Sequence, residues 1–550
     1  MSVREIPTLR DKQIEQLAFY MGNPKCLDLS DPGTGKTPPC CVYSFWVWDS
    51  FQKKTLWTMP KSLLRKNLGE MLRFTEFCQK DVVILRTDRA NLTQKWTGPV
   101  ISSTRTRRGW KLADGSNTID RKGCCYIDFK FPAYGPPTAE WVMLGPSLKR
   151  KPWTYECPGD EVEPLLGPDG QPLRYVRHDP EDFKDLIADA AQQGAKVVIC
   201  TFAFASAHWK RLIENFPDMD LFLVDELHMG YGGPESNQTE SFYWINRHVS
   251  RFVGMTGTLI NGRLDSAYPA ISVIEPRYYG SLQGFYFEHA AVVDDYGRVV
   301  VWKNENKLRQ ILARHSIRRT FEEVYGEEPV AFYTQYVEVD ESVKVHYDKF
   351  HEEALLELED GRVLDGALPG VSLIRARQIL GHPETMLNNI PKWTGKDERV
   401  EILLSEGKKT LIFAALVPEQ ERLVKLCESL GLRVALINNT VHAKERDRID
   451  QLAQEGKLDV IVGSGPTVAV GYNWEMFDIV IFVSIDYMDV NILQAYRRAS
   501  RGTRTSILRV YFLRYADTID DRQYDIVKAK SQLANRVDET RPVLEFTETE

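Results

Sequence analysis

The sequence predicts an α/β protein with two parallel-sheet lobes, a helical connector between them and a β-rich insertion in the first lobe. The main observation is that short, almost continuously apolar runs alternate with helix-like segments in two separate blocks of the chain. Runs of this kind are typical of parallel strands that helices cover on both faces. A stretch rich in turn signals interrupts the first block, and long polar helices separate the two blocks.

We expect the first lobe to occupy residues 1–280. Its strand candidates are KCLDLS, KTLWTMP, DVVILR, AKVVICTF, DLFLVDE and RFVGMTGT. The segment SLLRKNLGEMLRF predicts an amphipathic helix, because its apolar residues fall on one helical face: Leu64, Leu68, Met71 and Leu72. Residues 98–180 contain YGPP, LGPDGQP and short β-like pieces, and we interpret them as the β-rich insertion.

The remaining chain predicts a connector and a second lobe. Residues 281–390 include the long polar helix VKVHYDKFHEEALLELEDG and are assigned to the helical connector. Residues 391–550 repeat the strand–helix alternation, with KTLIFAAL, RVALIN, LDVIVGS, DIVIFVSID and SILRVYFLRYA as strands. This order predicts a second doubly wound lobe.

Composition excludes several classes of protein. Of the 550 residues, 43% are hydrophobic and 27% are charged, which is ordinary for a globular protein. The net charge of -7 gives no general attraction to nucleic acid, so such binding requires local patches. The dense apolar run CCVYSFWVW is too short to span a bilayer, and no membrane partner is expected. Nine cysteines without CxxC spacing predict free thiols in a reducing, cytoplasmic setting.

The stretch SDPGTGKT resembles a phosphate-binding loop between a strand and a helix. Its candidate nucleotide-binding residues are Gly33, Thr34, Gly35, Lys36 and Thr37. Glycines allow backbone N–H groups to turn toward phosphate oxygens, a lysine reaches the β- and γ-phosphates, and the threonine hydroxyl binds Mg²⁺. A glycine-rich turn without a ligand is the alternative, and the strand-before, helix-after context favours the phosphate loop.

Two prolines follow this loop directly. The residue before a proline is pushed away from helical dihedral angles, and Thr37 is that residue. Either Thr37 tolerates this restriction at the start of the helix, or the helix begins later.

The run LFLVDELH predicts a buried strand that delivers two carboxylates at its C-terminal end. In parallel α/β sheets this end carries the functional site. We expect Asp225 to hold Mg²⁺ through water and Glu226 to orient and activate an attacking water. Without the loop, a solvated acidic pair would explain the motif equally well.

The run QAYRRASRGTR places a group of arginines in the second lobe. Arg498 and Arg501 are three residues apart, so they share a helical face. An arginine that approaches the γ-phosphate from another lobe acts as an arginine finger. A basic surface helix is the alternative interpretation of this motif alone.

These motifs, in this order over two lobes, resemble those of superfamily 2 helicases, specifically the Swi/Snf-like branch of DNA translocases. The resemblance covers nearly all of the chain outside residues 98–180. Its most diagnostic pieces are SIRRTFEEV and RQILGHPE, which flank the connector in that branch. The resemblance implies two RecA-like lobes, ATP and Mg²⁺ as cofactors, and single-stranded, duplex or forked DNA as partner.

The resemblance also implies roles for further residues. LRDKQ matches the glutamine motif and makes Gln13 the adenine-contact candidate, while DELH matches the DExH box, in which His228 couples the lobes. QAYRRASR matches the family's last motif through Gln494, Arg498 and Arg501. Contacts to DNA phosphates, which position without reading sequence, are implied for Lys61, Ser62, Thr201 and Thr467.

Several positions depart from the family pattern. The family's Asp-Glu-x-Gly-x-Gly-Lys-Thr is replaced by a loop in which Ser30 and Asp31 precede Pro32. YMD stands where the family has Trp-Asn-Pro. These changes indicate a divergent member of viral or mobile-element origin, which would then act in the host cytoplasm.

Other functions remain open at this point. The insertion segments RTRRGWK and LKRKPW combine cations with Trp110 and Trp153, which suits either nucleic-acid stacking or solvated turns. An RNA-directed superfamily 2 ATPase, a non-catalytic DNA-binding scaffold with a decayed motor, and the motor part of a restriction system are the alternatives. Partners in replication, repair or recombination are not identified by the sequence.

Overall fold

A computed structural model describes most of the chain, and the described residues are 6–85, 94–99, 124–127, 142–143, 174–178, 182–357, 363–365, 369–387, 393–468, 472–500, 504–541 and 543–546. The chain divides into two compact units. The first unit consists of Met1–Val82, Lys196–Trp209 and Asp218–Glu550. The second consists of Val83–Ala195 and Lys210–Pro217.

Helices and strands alternate from the N-terminus. The elements up to the insertion are α1 (Asp11–Gly22), β1 (Lys25–Asp28), α2 (Thr37–Phe51), β2 (Lys54–Met59), α3 (Leu64–Phe74) and β3 (Val82–Leu85). Those in the second unit are β4 (Gln94–Pro99), β5 (Cys124–Ile127), β6 (Val142–Met143), β7 (Arg174–His178) and α4 (Asp182–Gln192). Strands β4 to β7 form an antiparallel sheet in the order β4-β7-β5-β6, so the insertion contains the β structure that the sequence predicts.

The first lobe continues after the insertion. Its elements are β8 (Val197–Thr201), α5 (Phe202–Asn215), β9 (Met219–Asp225), α6 (Leu227–Tyr231), α7 (Asn237–His248), β10 (Arg251–Met255), α8 (Tyr268–Ile274), α9 (Pro276–Tyr279), α10 (Leu282–His289), β11 (Ala290–Val293), β12 (Val299–Trp302), α11 (Glu305–His315), β13 (Ser316–Ile317) and α12 (Phe321–Tyr325). Within the first unit, its described strands form a parallel sheet in the order β13-β1-β10-β9-β2-β8. Strand β9 is almost wholly buried, as its apolar run predicts.

The second lobe has its own parallel sheet. The elements are β14 (Val330–Val337), α13 (Glu341–Glu353), β15 (Leu355–Glu357), β16 (Val363–Asp365), α14 (Pro369–Gly381), α15 (Gly395–Leu404), β17 (Thr410–Phe413), α16 (Val417–Ser429), β18 (Val434–Ile437), α17 (Ala443–Gln454), β19 (Val460–Gly463), α18 (Gly465–Val468), β20 (Ile479–Phe482), α19 (Asp489–Tyr496), β21 (Leu508–Tyr515) and α20 (Ile519–Val537). The described strands of this sheet follow the order β14-β21-β20-β17-β19-β18, and all of its pairs are parallel.

Two parallel sheets with helices between their strands confirm the predicted two-lobed α/β fold. The predicted connector contains strands as well as helices. Strand β13 pairs with β1 in the first sheet, and β14 pairs with β21 in the second. This part of the chain therefore joins the lobes by adding one strand to each sheet.

Buried apolar side chains fill both faces of the second sheet. One cluster contains Leu411, Phe482 and Trp474, and the other contains Ile412, Ile481 and Leu513. Successive residues of a strand point to opposite faces, which explains why neighbouring residues of β17 belong to different clusters. The structure shows free thiols at six cysteines: Cys26, Cys40, Cys41, Cys78, Cys200 and Cys427. Among the described helices, none is long and apolar enough to cross a membrane.

We expect Ile412→Ala to lower the free energy of unfolding by about 2–5 kcal/mol, because it leaves a cavity in a fully buried strand. Ile402→Ala is the matched control, since that side chain is 54% exposed on α15 of the same lobe. Urea unfolding followed by tryptophan fluorescence measures both changes. Equal effects of the two substitutions would contradict the assignment of β17 to the core.

Candidate active site

The predicted phosphate loop lies between β1 and α2, at the C-terminal end of a central strand of the first sheet. Gly33 and Gly35 have φ values of 90° and 92°, which L side chains rarely adopt. A Cβ atom at Gly35 would also lie 2.6 Å from an Arg10 nitrogen and 2.7 Å from the Gln13 amide. The backbone conformation therefore favours glycine at this position, and a larger residue would also displace the ends of the Arg10 and Gln13 side chains.

Polar groups hold the loop in this shape. The Lys36 ammonium donates to the carbonyl oxygens of Ser30 at 2.6 Å and Asp31 at 3.1 Å. The Gln13 amide donates to the Gly35 carbonyl at 3.0 Å, so the adenine-contact candidate lies directly against the loop. The Thr34 hydroxyl donates to the Asp31 carbonyl at 2.8 Å. The structure thus brings together the nucleotide-binding residues that the sequence predicts.

The two prolines after the loop lie inside the first turn of α2. The helix begins at Thr37, and Pro38 and Pro39 are buried. N–H groups in the first turn have no partner within the helix, so prolines remove no hydrogen bond there. The alternative that the helix begins later is therefore wrong.

Ser30 is buried and anchors the base of the loop. Its N–H donates to an Asp28 carboxylate oxygen at 2.9 Å, and its hydroxyl accepts from the Arg319 N–H at 3.0 Å. The Gln16 amide donates to the same hydroxyl at 3.2 Å. A small polar residue therefore makes contacts here that glycine could not.

Pro32 packs on the segment that follows β10. A Cβ atom at Gly257 would lie 2.7 Å from the Pro32 ring, so the two residues are in close contact. The preceding residue, Thr256, donates its N–H to the Asp28 carbonyl at 3.0 Å. Gly257, in the run RFVGMTGT, therefore leaves the space that the Pro32 ring occupies.

Of the two predicted carboxylates, Asp225 ends β9 and Glu226 follows it, two strands away from β1 in the sheet. Burial and then the neighbouring Glu226 raise the pKa of Asp225 to about 6, against the opposing effects of Asn67 and Lys36. The Asn67 amide donates to Asp225 at 2.9 Å. Glu226 has a left-handed backbone conformation, with φ 51° and ψ 52°, at the turn into α6.

His228 is neutral at pH 7. Burial, followed by the charges of Arg541 and Lys36, lowers its pKa to about 4, although Asp489 opposes this. Its Nδ1 lies 2.7 Å from the Thr256 hydroxyl and 3.6 Å from a Glu226 oxygen. The second contact is therefore polar and not an ion pair. His228 joins the acidic motif to the segment after β10.

Helix α19 of the second lobe reaches this site through two side chains. The Gln494 amide lies 3.5 Å from a Glu226 carboxylate oxygen. The Arg497 guanidinium, just beyond the helix, lies 3.4 Å from an Asp31 carboxylate oxygen and 3.7 Å from Glu328. Burial raises the pKa of Asp31, but Arg497 and Arg318 lower it by more, so this carboxylate is ionised.

The sequence predicts Arg498 and Arg501 for this site, and among the described residues Arg318 and Arg497 contact Asp31 of the loop. Arg498 is buried in the turn after α19, and its Nε donates to the Gln494 carbonyl of that helix at 3.1 Å. Arg501 lies outside the described residues. The sequence prediction did not include Arg497, although it adjoins Arg498, because the sequence does not show how the chain turns after α19 ends at Tyr496.

A segment of the predicted connector lies along the loop. Arg318 contacts Asp31 at 3.0 Å, and the Phe321 N–H donates to the same carboxylate at 3.1 Å. The Tyr325 hydroxyl donates to the Gly33 carbonyl at 3.0 Å and accepts from Arg10 at 3.0 Å. The sequence identified this segment through the motif SIRRTFEEV, but it did not indicate that the segment contacts the phosphate loop.

The four nucleic-acid candidates all follow the C-terminal ends of strands. Lys61 and Ser62 are exposed in the 3₁₀ turn after β2, and Thr201 ends β8. Met59 of β2 lies opposite Thr201 of β8 in the sheet, so Lys61 and Ser62, which follow Met59, lie near Thr201. Thr467 lies in α18 and accepts from the Ser464 hydroxyl at 2.7 Å. Their contact with nucleic acid stays a prediction. Trp110 and Trp153 lie outside the described residues.

Comparison with known proteins supports the sequence resemblance. Residues 395–503 match the family described as Helicase conserved C-terminal domain. The chain is 21% identical over 347 residues to the chromodomain-helicase-DNA-binding protein 3 homolog of Caenorhabditis elegans, covering 58% of this chain and 19% of that protein. It is 23% identical over 318 residues to chromodomain-helicase-DNA-binding protein 1-like of Mus musculus, covering 53% and 34%.

These curated relatives are much longer than the chain, which spans about a fifth to a third of their length. Among solved structures, the Sulfolobus solfataricus SWI2/SNF2 ATPase core in complex with dsDNA is similar at 15% identity. The match covers 98% of this chain and 95% of that one, with a TM-score of 0.36, which is too low to add support. None of these matches bears on a viral or mobile-element origin.

We expect Asp225→Asn to stabilise the ligand-free protein at pH 7–8 by about 1–3 kcal/mol. A carboxyl whose pKa is raised to about 6 on folding lowers stability progressively as pH rises from its unfolded pKa, about 4, to about 6, and by a constant amount above that. The gain should shrink as pH falls toward 5, because the wild-type carboxyl then becomes protonated. Urea unfolding of the wild type and of Asp225→Asn at several pH values measures this gain in the free energy of unfolding. Glu421→Gln, which changes an exposed carboxylate, is the control. A gain independent of pH would contradict the raised pKa.

Proposed function

We propose that this chain, a relative of the Swi/Snf-like superfamily 2 helicases, is an ATP-driven motor that moves on DNA. One observation carries the proposal: two side chains of the second lobe, Gln494 and Arg497, contact Glu226 and Asp31 of the first. A site assembled from two lobes can link a chemical step to lobe movement. The proposed boundaries are 1–280, 281–390 and 391–550, with β13 and β14 of the connector segment each completing the sheet of one lobe.

The phosphate loop is suited to bind the triphosphate of ATP. The left-handed glycines expose backbone N–H groups, and Lys36 supplies a positive charge from the start of α2. The Gln13 side chain is positioned beside Gly35 and can read the polar edge of adenine. We therefore assign Gln13, Gly33, Thr34, Gly35, Lys36 and Thr37 to nucleotide binding.

The site also suits Mg²⁺. The hydroxyl of Thr37 and the carboxylate of Asp225 are hard oxygen ligands, which Mg²⁺ prefers. Asp225 is a buried carboxyl whose pKa the charge of Glu226 helps to raise, so a cation beside it would favour the ionised form. In the described chain no three His, Cys, Asp or Glu residues cluster as a metal site, which fits an ion shared with phosphate oxygens. Bound there, Mg²⁺ would neutralise phosphate charge.

The remaining residues have distinct proposed roles. Glu226 accepts a proton from, and orients, the water that attacks the γ-phosphate. Gln494 positions Glu226, while His228 stays neutral and connects this carboxylate to Thr256. Arg498 and Arg501 were predicted to complete the site, and Arg497 joins them as the arginine that contacts the loop.

DNA is the proposed partner, held at the strand ends where Lys61, Ser62, Thr201 and Thr467 lie. Such contacts neutralise phosphates and position the strand. An RNA-directed ATPase, a scaffold with a decayed motor, and the motor part of a restriction system remain the alternatives. A cytoplasmic location remains part of the proposal.

The test of ATP hydrolysis uses Lys36→Ala and Glu226→Gln. Each should lower the turnover of ATP by at least about 10²-fold, because each removes a group placed for the transition state. Binding to duplex DNA, measured by fluorescence anisotropy, should change little. Lys53→Ala is the control, since Lys53 is exposed outside the loop. Full ATP turnover by Glu226→Gln would refute its role as the base.

The test of DNA contact uses Lys61→Ala. Affinity for duplex DNA should fall steeply with salt in the wild type, and the slope of log K against log salt should be shallower by about 1 in the variant.

ATP hydrolysis should be stimulated by DNA more than by RNA of matched length. Equal or greater stimulation by RNA would favour the RNA-directed alternative, and no hydrolysis with either would favour the scaffold.

A further inference from the structure

Strand β14 forms one edge of the second sheet. It pairs with β21 along its whole length, from Val330 opposite Leu508 to Val337 opposite Tyr515. No other described strand pairs with its outer side. The opposite edge, β18, has only four residues, whereas β14 has eight. The sheet therefore presents one long edge.

The sequence of this edge lacks the usual protection against pairing. VAFYTQYV contains no charge, proline or glycine. Natural edge strands are commonly short or carry a charge or proline, because an open edge recruits further strands. Phe332 and Tyr336 are 40% and 41% exposed, whereas the neighbouring β21 is almost wholly buried. The open edge is thus both uncharged and aromatic.

A cavity of about 700 Å³ opens at the start of this strand. Aromatic rings of Phe332, Tyr496 and Phe512 contribute to its wall. Its described lining also includes four glutamates: Glu322, Glu327, Glu328 and Glu545. The one cation among the described lining residues is Arg497, which is paired with Asp31 and Glu328. Acidic groups and aromatic faces together suit a cationic side chain.

We propose that β14 binds an extended, basic segment of a partner protein, which adds a strand to the second sheet and places a cationic side chain in this cavity. Main-chain pairing supplies affinity in such strand addition, and pockets for side chains supply specificity. A second copy of this chain is disfavoured, because it would bring the same acidic rim against itself. The proposal does not depend on ATP hydrolysis.

The test uses the whole chain and two fluorescein-labelled peptides of eight residues. One alternates valine with arginine, and the other alternates valine with glutamate, so strand propensity is matched and charge is reversed. We expect only the arginine peptide to bind, and hydrogen exchange at residues 330–337 to slow when it does. Equal binding of both peptides, or no slowing at 330–337, would overturn the proposal.

A double variant tests the acidic rim. Glu322→Gln with Glu327→Gln should weaken binding of the arginine peptide about three- to tenfold, as loss of two partly exposed charge contacts predicts. The control is Glu421→Gln with Glu428→Gln, which removes two exposed carboxylates from α16 of the second lobe. Unchanged affinity in the rim variant would refute charge recognition. Protection of 330–337 that grows with protein concentration alone would instead assign the edge to a second copy.

Discussion

The buried carboxylate of Asp31 holds three parts of the chain together at the phosphate loop. It contacts Arg318 from the predicted connector at 3.0 Å and Arg497 from the second lobe at 3.4 Å, and it accepts the Phe321 N–H at 3.1 Å. Removing one partner of a buried ion pair typically costs about 3–5 kcal/mol, because the other charge is left buried. The shape of the loop therefore depends on residues almost 300 and more than 450 positions away.

This arrangement connects the loop to the position of the second lobe. Separation of the lobes would have to break the contact of Arg497 with Asp31 and that of Gln494 with Glu226. The first contact lies on the loop that would hold phosphate, and the second lies on the carboxylate that would prepare water. In the proposed motor, a change of ligand at either point would alter the balance between separated and closed lobes.

Much of this structure could be predicted from local patterns. The apolar runs identified the sheets, and the loop SDPGTGKT and the pair Asp225-Glu226 were found because both follow such runs. That Arg497 contacts the loop could not be predicted, since it lies in the turn after α19, whose direction only tertiary packing decides. The pairing of Ser316–Ile317 with β1 was also hidden, because two residues carry no strand periodicity and only tertiary contacts select them.

The most direct test of the account is a double-mutant cycle on Asp31 and Arg497, read as kcat/KM for ATP hydrolysis. The variants are Asp31→Asn, Arg497→Gln and the combination of both. If lobe 2 completes the phosphate loop through this pair, the two losses will not add, and the coupling energy will be about 0.5–3 kcal/mol. Additive losses, or an Arg497→Gln protein with wild-type turnover, would contradict a site completed through this contact.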